Sequence, residues 1–349
     1  MKNQTTVNEF ILLGFSYGLQ GQTVLFLVFL VTYMVTITEN AIIIFVVKSN
    51  HHLHKPMYYF LGNLSFLEMW YISVTLPRFL FGFWSQSKSI SFSSCMTQIY
   101  FFISLCCTEC VLLAVMAYDR FLAVCHPLRY AAIMTHKLCF QLSFLSWAGG
   151  FSISLVKVSF ISRLTFCGPQ VINHFFCDIS PVLNLSCTDI SLAETVDFAL
   201  ALVILLVPLL IIVFSYGCIM STVLCMPSAQ GRRKAISTCT SHFSVLIIFF
   251  SATLFIYARP RRIHPFNLNK IVSIFYAVFT PALNPLIYCL RNKEVKQVLR
   301  KTISASCSAH HQVTSLPKDR AVEGQQWWEI HHSSNRIKED HCDCCSFAG

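Results

Sequence analysis

The chain has 349 residues, of which 55% are hydrophobic and only 12% charged. A soluble globular domain carries about twice that charged fraction, so much of this surface faces something other than water. The formal net charge of +10 does not point to nucleic acid, because the basic residues stand in short clusters between apolar runs, as topology determinants do.

Residues 1–20 lack a basic stretch followed by a short apolar run and a small-residue cleavage site, so no cleavable signal peptide is expected. Asn3-Gln4-Thr5 is a glycosylation sequon, of use only on a lumenal N-terminus. Asn63-Leu64-Ser65 also matches but lies inside an apolar run, and Asn184-Leu185-Ser186 is crowded by Cys187. Apolar segments then follow at 24–47, 57–80, 96–121, 139–161, 196–222, 237–259 and 269–290. Each is long enough for a bilayer-spanning helix, which needs about 20 apolar residues. They are too long for the strands of a membrane barrel. Prolines within them (Pro77, Pro208, Pro281, Pro285) mark kinks, since neighbouring helices can satisfy the freed backbone groups. The first three segments contain isolated acids, Glu39, Glu68 and Glu109.

With the N-terminus outside, twelve basic residues from Lys48 to Lys301, including Arg232-Arg233-Lys234, fall on the cytoplasmic side, against eight on the other. That excess favours N-out, although Arg259-Pro260-Arg261-Arg262 argues the other way. Cys95, Cys167, Cys177 and Cys187 then share the oxidising side, where disulfides form; counting alone leaves three pairings open. The segment 162–195 between spans four and five reads as a long loop with little apolar content to hold it down. The expected organisation is an extracellular N-terminus (1–23), a seven-helix membrane domain (24–292), an amphipathic cytoplasmic helix (293–301) and a polar tail (302–349) without a fixed fold.

Several runs resemble the hallmarks of the vertebrate odorant (olfactory) receptors, a rhodopsin-like G-protein-coupled family. They are Leu53-His-Lys-Pro-Met-Tyr-Tyr-Phe60, Met116-Ala-Tyr-Asp-Arg-Phe-Leu-Ala-Val-Cys-His-Pro-Leu-Arg-Tyr130, Ser215-Tyr216, Lys234-Ala-Ile-Ser-Thr-Cys-Thr-Ser-His242 and Pro281-Ala-Leu-Asn-Pro-Leu-Ile-Tyr288. The run Phe166-Cys-Gly-Pro-Gln-Val-Ile-Asn-His-Phe-Phe-Cys177 is similar to the class II type. The likeness covers about residues 1–301, in order and at family spacing. Three positions depart from the pattern: Glu39 in place of Gly, Phe121 in place of Tyr, and Phe250-Ser251-Ala252-Thr253 in place of Phe-Tyr-Gly-Thr. An acid at position 39 puts efficient folding in doubt, because an intramembrane charge costs a few kcal/mol unless protonated or paired.

The resemblance implies an all-α seven-transmembrane bundle that binds a small, largely apolar odorant and activates a stimulatory heterotrimeric G protein, raising cyclic AMP. It implies a receptor without cofactor or enzymatic activity, seated among the lipids of the plasma membrane. Phe102, Ile103, Cys106, Cys107, Leu200, Ile204, Phe250, Thr253 and Tyr257 would line the pocket; each apolar member taken singly is more often packing than ligand contact. Asp119, Arg120, Tyr216, His242, Asn284 and Tyr288 would form the activation switch. His242 has a second reading as a plain interhelical hydrogen bond. Asn40, Glu68, Glu109 and Asn284, with Asn63, would form a polar core around a sodium ion or proton, or else a protonated pair with no ion. Disulfides would join Cys95 to Cys177 and Cys167 to Cys187, and Asn3 would carry glycan.

Cys106, Cys107 and Cys110 raise the possibility of a soft metal, but buried thiols more often act as small hydrophobes, so no metal is expected. Lys157 reads as a snorkelling residue without function. His341-Cys-Asp-Cys-Cys345 has the residue types for zinc or palmitate but reads as part of an appended extension. A transporter would need repeated halves and broken helices, and an intramembrane hydrolase a nucleophile and base; neither pattern is present.

Overall fold

The computed structural model describes residues 8–15, 19–85, 88–257, 270 and 272–291. The chain runs through β1 (Glu9–Leu12), α1 (Leu19–Ser49), a 3-10 turn (His51–Leu53), α2 (Pro56–Ser85), β2 (Ser89–Ser91), α3 (Phe92–Cys125) and α4 (Pro127–Ile133). It continues through α5 (His136–Ile161), β3 (Val171–Ile172), α6 (Ile179–Leu183), α7 (Ser191–Leu224), α8 (Ala229–Tyr257), a π-helical turn (Phe275–Phe279) and α9 (Thr280–Arg291). The seven apolar segments map to α1, α2, α3, α5, α7, α8 and the π turn with α9. Predicted residues 293–301 and 302–349, the sequon at Asn3 and Arg259–Arg262 lie outside the described residues.

Among the described residues, α1, α3, α5 and α7 are long and apolar enough by composition alone to cross a bilayer. The most apolar window of α3 is 78% buried, against 22–28% for the other three, which makes α3 the central post of the bundle. Its 34 residues extend about 50 Å at 1.5 Å per residue, more than a bilayer core, so it is accommodated by tilt and by projection beyond the hydrocarbon. On α7 the exposed face carries Leu202, Val203, Leu206, Val207, Leu210, Val213 and Phe214, a surface that suits lipid and not water.

The α3–α5 seam is built from small residues. Ser143, Ser146, Gly150 and Ser154 recur at helical spacing on the buried face of α5. A Cβ at Gly150 would run into Thr108 Oγ1 and stand 2.6 Å from the Ser104 carbonyl oxygen, so only glycine allows this approach. Ser154 Oγ then donates across the seam to Tyr100 O at 2.6 Å. Without a hydrophobic drive between helices in lipid, such close packing and interhelical hydrogen bonding is what holds them together.

Pro77, Pro208 and Pro285 lie inside continuing helices, as expected. Pro281 removes the N–H that Ala277 O would accept in an α-helix. The chain answers with the π turn at Phe275–Phe279, where Thr280 donates to Phe275 O from its backbone N–H and, at 3.1 Å, from its hydroxyl.

At one end of the bundle, here called the outer end, lie both disulfides and a small sheet of order β2-β1-β3. β1 pairs antiparallel with β2 (Phe10 opposite Ile90) and parallel with β3 (Ile11 opposite Val171). Its alternation buries Phe10 and Leu12 and exposes Glu9 and Ile11. The segment 162–195, expected to be poor in anchoring apolar groups, is instead nailed down by buried Ile172, Phe175, Phe176, Ile179, Val182 and Leu183. Its anchors are scattered singly among polar residues, which hid them from a reading by apolar runs.

Candidate functional site

The outer loop forms a lid. Cys95 at the start of α3 is bonded to Cys177, and Cys167 to Cys187, as the resemblance implied. The second bond closes a short antiparallel loop held by Cys167 N donating to Leu185 O (3.1 Å) and Cys187 N to Thr165 O (3.0 Å). Gln98 was not picked out from sequence, yet it ties three elements together. Its Nε2 donates to Val74 O on α2 (2.8 Å), and its Oε1 accepts from the Cys177 backbone N–H (2.9 Å). His174 is buried under the lid; Nε2 pairs with Ser273 Oγ at 3.1 Å, and Nδ1 accepts from Phe176 N at 3.4 Å. Burial, reinforced by the Lys270 charge, lowers the His174 pKa to about 3, so the ring is neutral.

Beneath the lid, the predicted pocket residues fall into two groups. Phe102, Ile103, Cys106 and Cys107 on α3, and Phe250 and Thr253 on α8, are buried. Leu200 and Ile204 on α7 are only half-buried, beside the buried Ala201 and Leu205. The Tyr257 side chain lies outside the described residues. Phe102 is the hub: its ring lies 4.8 Å from Phe176 in the lid, 5.0 Å from Tyr71 on α2 and 5.7 Å from Tyr276 in the π turn. Thr253 Oγ1 donates to Phe249 O at 2.7 Å, which leaves its lone pairs to accept from a ligand.

Lys157 does not snorkel. It is buried and its Nζ stands 2.9 Å from Asp197 Oδ1, an ion pair that joins α5 to α7. An acid forty residues away offered no local signal for this partner. Nearby, Asp178 caps α6 by accepting from Ile179 N at 2.8 Å, and burial pushes its carboxyl up to about 6. Among the described residues, no three or more His, Cys, Asp or Glu side chains could share a metal; Cys106, Cys107 and Cys110 are buried thiols.

Mid-bundle, Asn40, Glu68, Glu109 and Asn284 are all buried, and Asn284 Nδ2 donates to Glu68 Oε1. Asn40 Nδ2 donates to Thr36 O at 3.0 Å. Among the described residues, Glu68 Oε2, Glu109 Oε1, Asn40 Oδ1 and Asn284 Oδ1 have no hydrogen-bond partner. Buried acceptors of this kind call for a proton, a water or a small cation. Asn63 does not join them; it is half-buried and its Nδ2 returns to Tyr59 O of its own helix at 2.9 Å.

At the inner end, Asp119 is buried and accepts from the Tyr130 hydroxyl of α4 at 2.8 Å. Burial and the Asp119 charge raise the Tyr130 phenol pKa well above its usual value, so it stays a donor. Tyr216 on α7 and His242 on α8 meet, the hydroxyl lying 2.9 Å from Nδ1. Arg120 lies within electrostatic reach of both, and its Nε has no hydrogen-bond partner among the described residues. The Tyr288 side chain lies outside the described residues. Phe121 packs 6.0 Å from Phe214 on α7, an aromatic contact that a hydroxyl is not needed to make.

A disulfide-pinned lid, a helix-lined interior and a charged pair at the opposite end define a seven-helix membrane receptor. The family model for olfactory receptors matches residues 29–306. Similar proteins include olfactory receptor 6B1 of Homo sapiens, 64% identical over 309 residues, covering 88% of this chain and 98% of that protein. Olfactory receptor 6B9 of Mus musculus is 59% identical, with 87% and 96% covered, and olfactory receptor 226 of Rattus norvegicus is 56% identical, with 85% and 92% covered. The chain belongs to the olfactory receptor family: an odorant receptor, a multi-pass protein of the plasma membrane, and a signalling receptor, not an enzyme.

Proposed function

We propose that this receptor binds a small, largely apolar odorant beneath the lid and activates a stimulatory heterotrimeric G protein, raising cyclic AMP. In this reading the N-terminus is extracellular, residues 293–301 form a cytoplasmic amphipathic helix, and 302–349 are a cytoplasmic tail without a fixed fold. The ligand touches Phe102, Ile103, Cys106, Cys107, Leu200, Ile204, Phe250, Thr253 and Tyr257. The lining supplies few polar handles, which favours a ligand with one or two hydrogen-bonding groups.

The observation that carries the reading is the Tyr216–His242 contact, 2.9 Å across α7 and α8 and beside Arg120. It ties two helices together next to Arg120 of the helix 3 signature. A ligand that binds better when the two helices separate shifts the receptor towards the state in which Arg120 meets the G protein; equal affinity for both states would shift nothing. Asp119, Asn284 and Tyr288 complete the switch, and Asn40, Glu68 and Glu109 form the polar layer between it and the ligand.

The test is cyclic AMP in cells challenged with an odorant panel. An activating odorant should raise it in the parent receptor, and Arg120→Ala should abolish the response at equal surface expression. A normal response from well-expressed Arg120→Ala cells would sink the switch assignment; a response carried by another second messenger would sink the stimulatory coupling.

A further inference from the structure

A cavity lies away from the proposed odorant-contact residues of α3, α7 and α8. It sits at the outer end between the N-terminal segment and the first two long helices, with a volume of about 140 Å³. Phe79, Gly82 and Phe83 come from one face of α2, Leu12 from the end of β1, Leu13 to Phe15 from the segment that follows it, and Phe175 from the lid. The rings form a continuous floor: Phe79 lies 4.8 Å from Phe83, 5.4 Å from Phe175 and 6.1 Å from Phe15. Gly14 turns the chain over this floor with φ +59°, a conformation that favours glycine, and a Cβ there would stand 3.4 Å from the Phe79 ring.

The rim is charged with one sign. Half-buried Arg78 and exposed Lys88 both line the cavity, and no acidic side chain is among its described lining residues. Arg78 also rests 5.6 Å from the Phe81 ring centroid and borders a more open, serine-rich cavity beside β2. Behind the wall, Lys270 Nζ donates to Gly14 O at 2.7 Å and stands 5.7 Å over the Phe15 ring. An apolar cavity of about 150 Å³ takes a benzene ring. Aromatic rings under a cationic rim add the demand that the occupant carry a negative head.

We propose that this outer cavity is a binding site for small aromatic carboxylates, the ring lying on Phe79, Phe83 and Phe175 and the carboxylate meeting Arg78 and Lys88. An occupant touches Phe175, whose ring is 4.8 Å from Phe176, which in turn lies 4.8 Å from Phe102. The site therefore borders the same aromatic chain that roofs the odorant pocket, and a carboxylate held here acts on the lid from its far side.

The test is direct binding to the full-length receptor in phosphatidylcholine nanodiscs, with benzoate as probe and benzyl alcohol as its uncharged counterpart. No signalling readout is involved, so failure here is separable from failure of the odorant and G-protein reading. Benzoate should bind at least about tenfold more tightly than benzyl alcohol, since charge-assisted hydrogen bonds are about twice as strong as neutral ones. The double substitution Arg78→Gln with Lys88→Gln should erase that preference, Arg78→Lys with Lys88→Arg should keep it, and Gly82→Leu should block both ligands. Equal affinity for the two probes, or benzoate binding that survives both the Gln pair and Gly82→Leu, would overturn the proposal. So would loss of benzoate binding in discs containing anionic phosphatidylglycerol, which would assign the cations to a lipid headgroup.

Discussion

A carboxyl group midway along a membrane helix needs a partner or a proton, and Glu39 on α1 is half-buried with Oε2 unpartnered among the described residues. It flanks the inward stripe of Thr36, Asn40 and Ile43 without joining it. An acid at a helix centre costs about 2.5–3.5 kcal/mol on insertion, whereas glycine in a helix costs about 1 kcal/mol relative to alanine. Glu39→Gly should therefore raise surface delivery, read by flow cytometry of tagged receptor; delivery equal to or below the parent would count against it. Glu39 stands out in sequence because an acid interrupts an apolar run. Gln98 does not, since an uncharged amide near a helix start is unremarkable until Val74 O and Cys177 N are seen on either side of it.

At the scale of elements, continuous apolar runs made the helices legible, and lipid exposure is the reason they are continuous. Pairwise ties between helices were not legible, because each depends on one residue per helix. The α5–α7 tie is the clearest case: Lys157 and Asp197 are forty residues apart and meet only once the helices pack. Their side chains are 2% and 16% exposed, so removing one partner strands the other's charge in a poorly hydrated place. Breaking a buried pair costs about 3–5 kcal/mol, while replacing both partners with apolar groups is often neutral. Lys157→Met should lower the thermal unfolding midpoint of purified receptor, and adding Asp197→Leu should recover most of the loss. A double variant no better than the single would show that Lys157 acts through other contacts. β1 was missed for a related reason: four residues, Glu9–Leu12, are too few for alternation to register, and both partner strands come from distant loops.

Across the whole molecule, the outer cap is where the N-terminus, the loop 162–195 and the last span converge, and His174 sits at that convergence, bonded to Ser273. The family motif delivered the two disulfides, but nothing in the sequence marks His174 as buried. Its environment gives the cap a pH dependence with a definite sign. The folded ring titrates at about 3 and the unfolded one near its ordinary value of 6.5, so the unfolded cap binds the extra proton between those limits. Stability is then full above the unfolded value and is lost as pH falls towards 3. At pH 5 the loss amounts to about 2 kcal/mol, or roughly thirtyfold in local opening. Hydrogen exchange in residues 171–177 of purified receptor should accordingly quicken between pH 7.5 and pH 5, after correction for the intrinsic rate. His174→Gln keeps a polar group for Ser273 but cannot gain the proton, so its corrected protection should be flat over the same range. Cys95–Cys177 ties the loop to the start of α3 in both proteins, which leaves the ring's protonation as the difference between them. A parent receptor whose cap protection does not change with pH would mean that the ring is hydrated enough to protonate without opening.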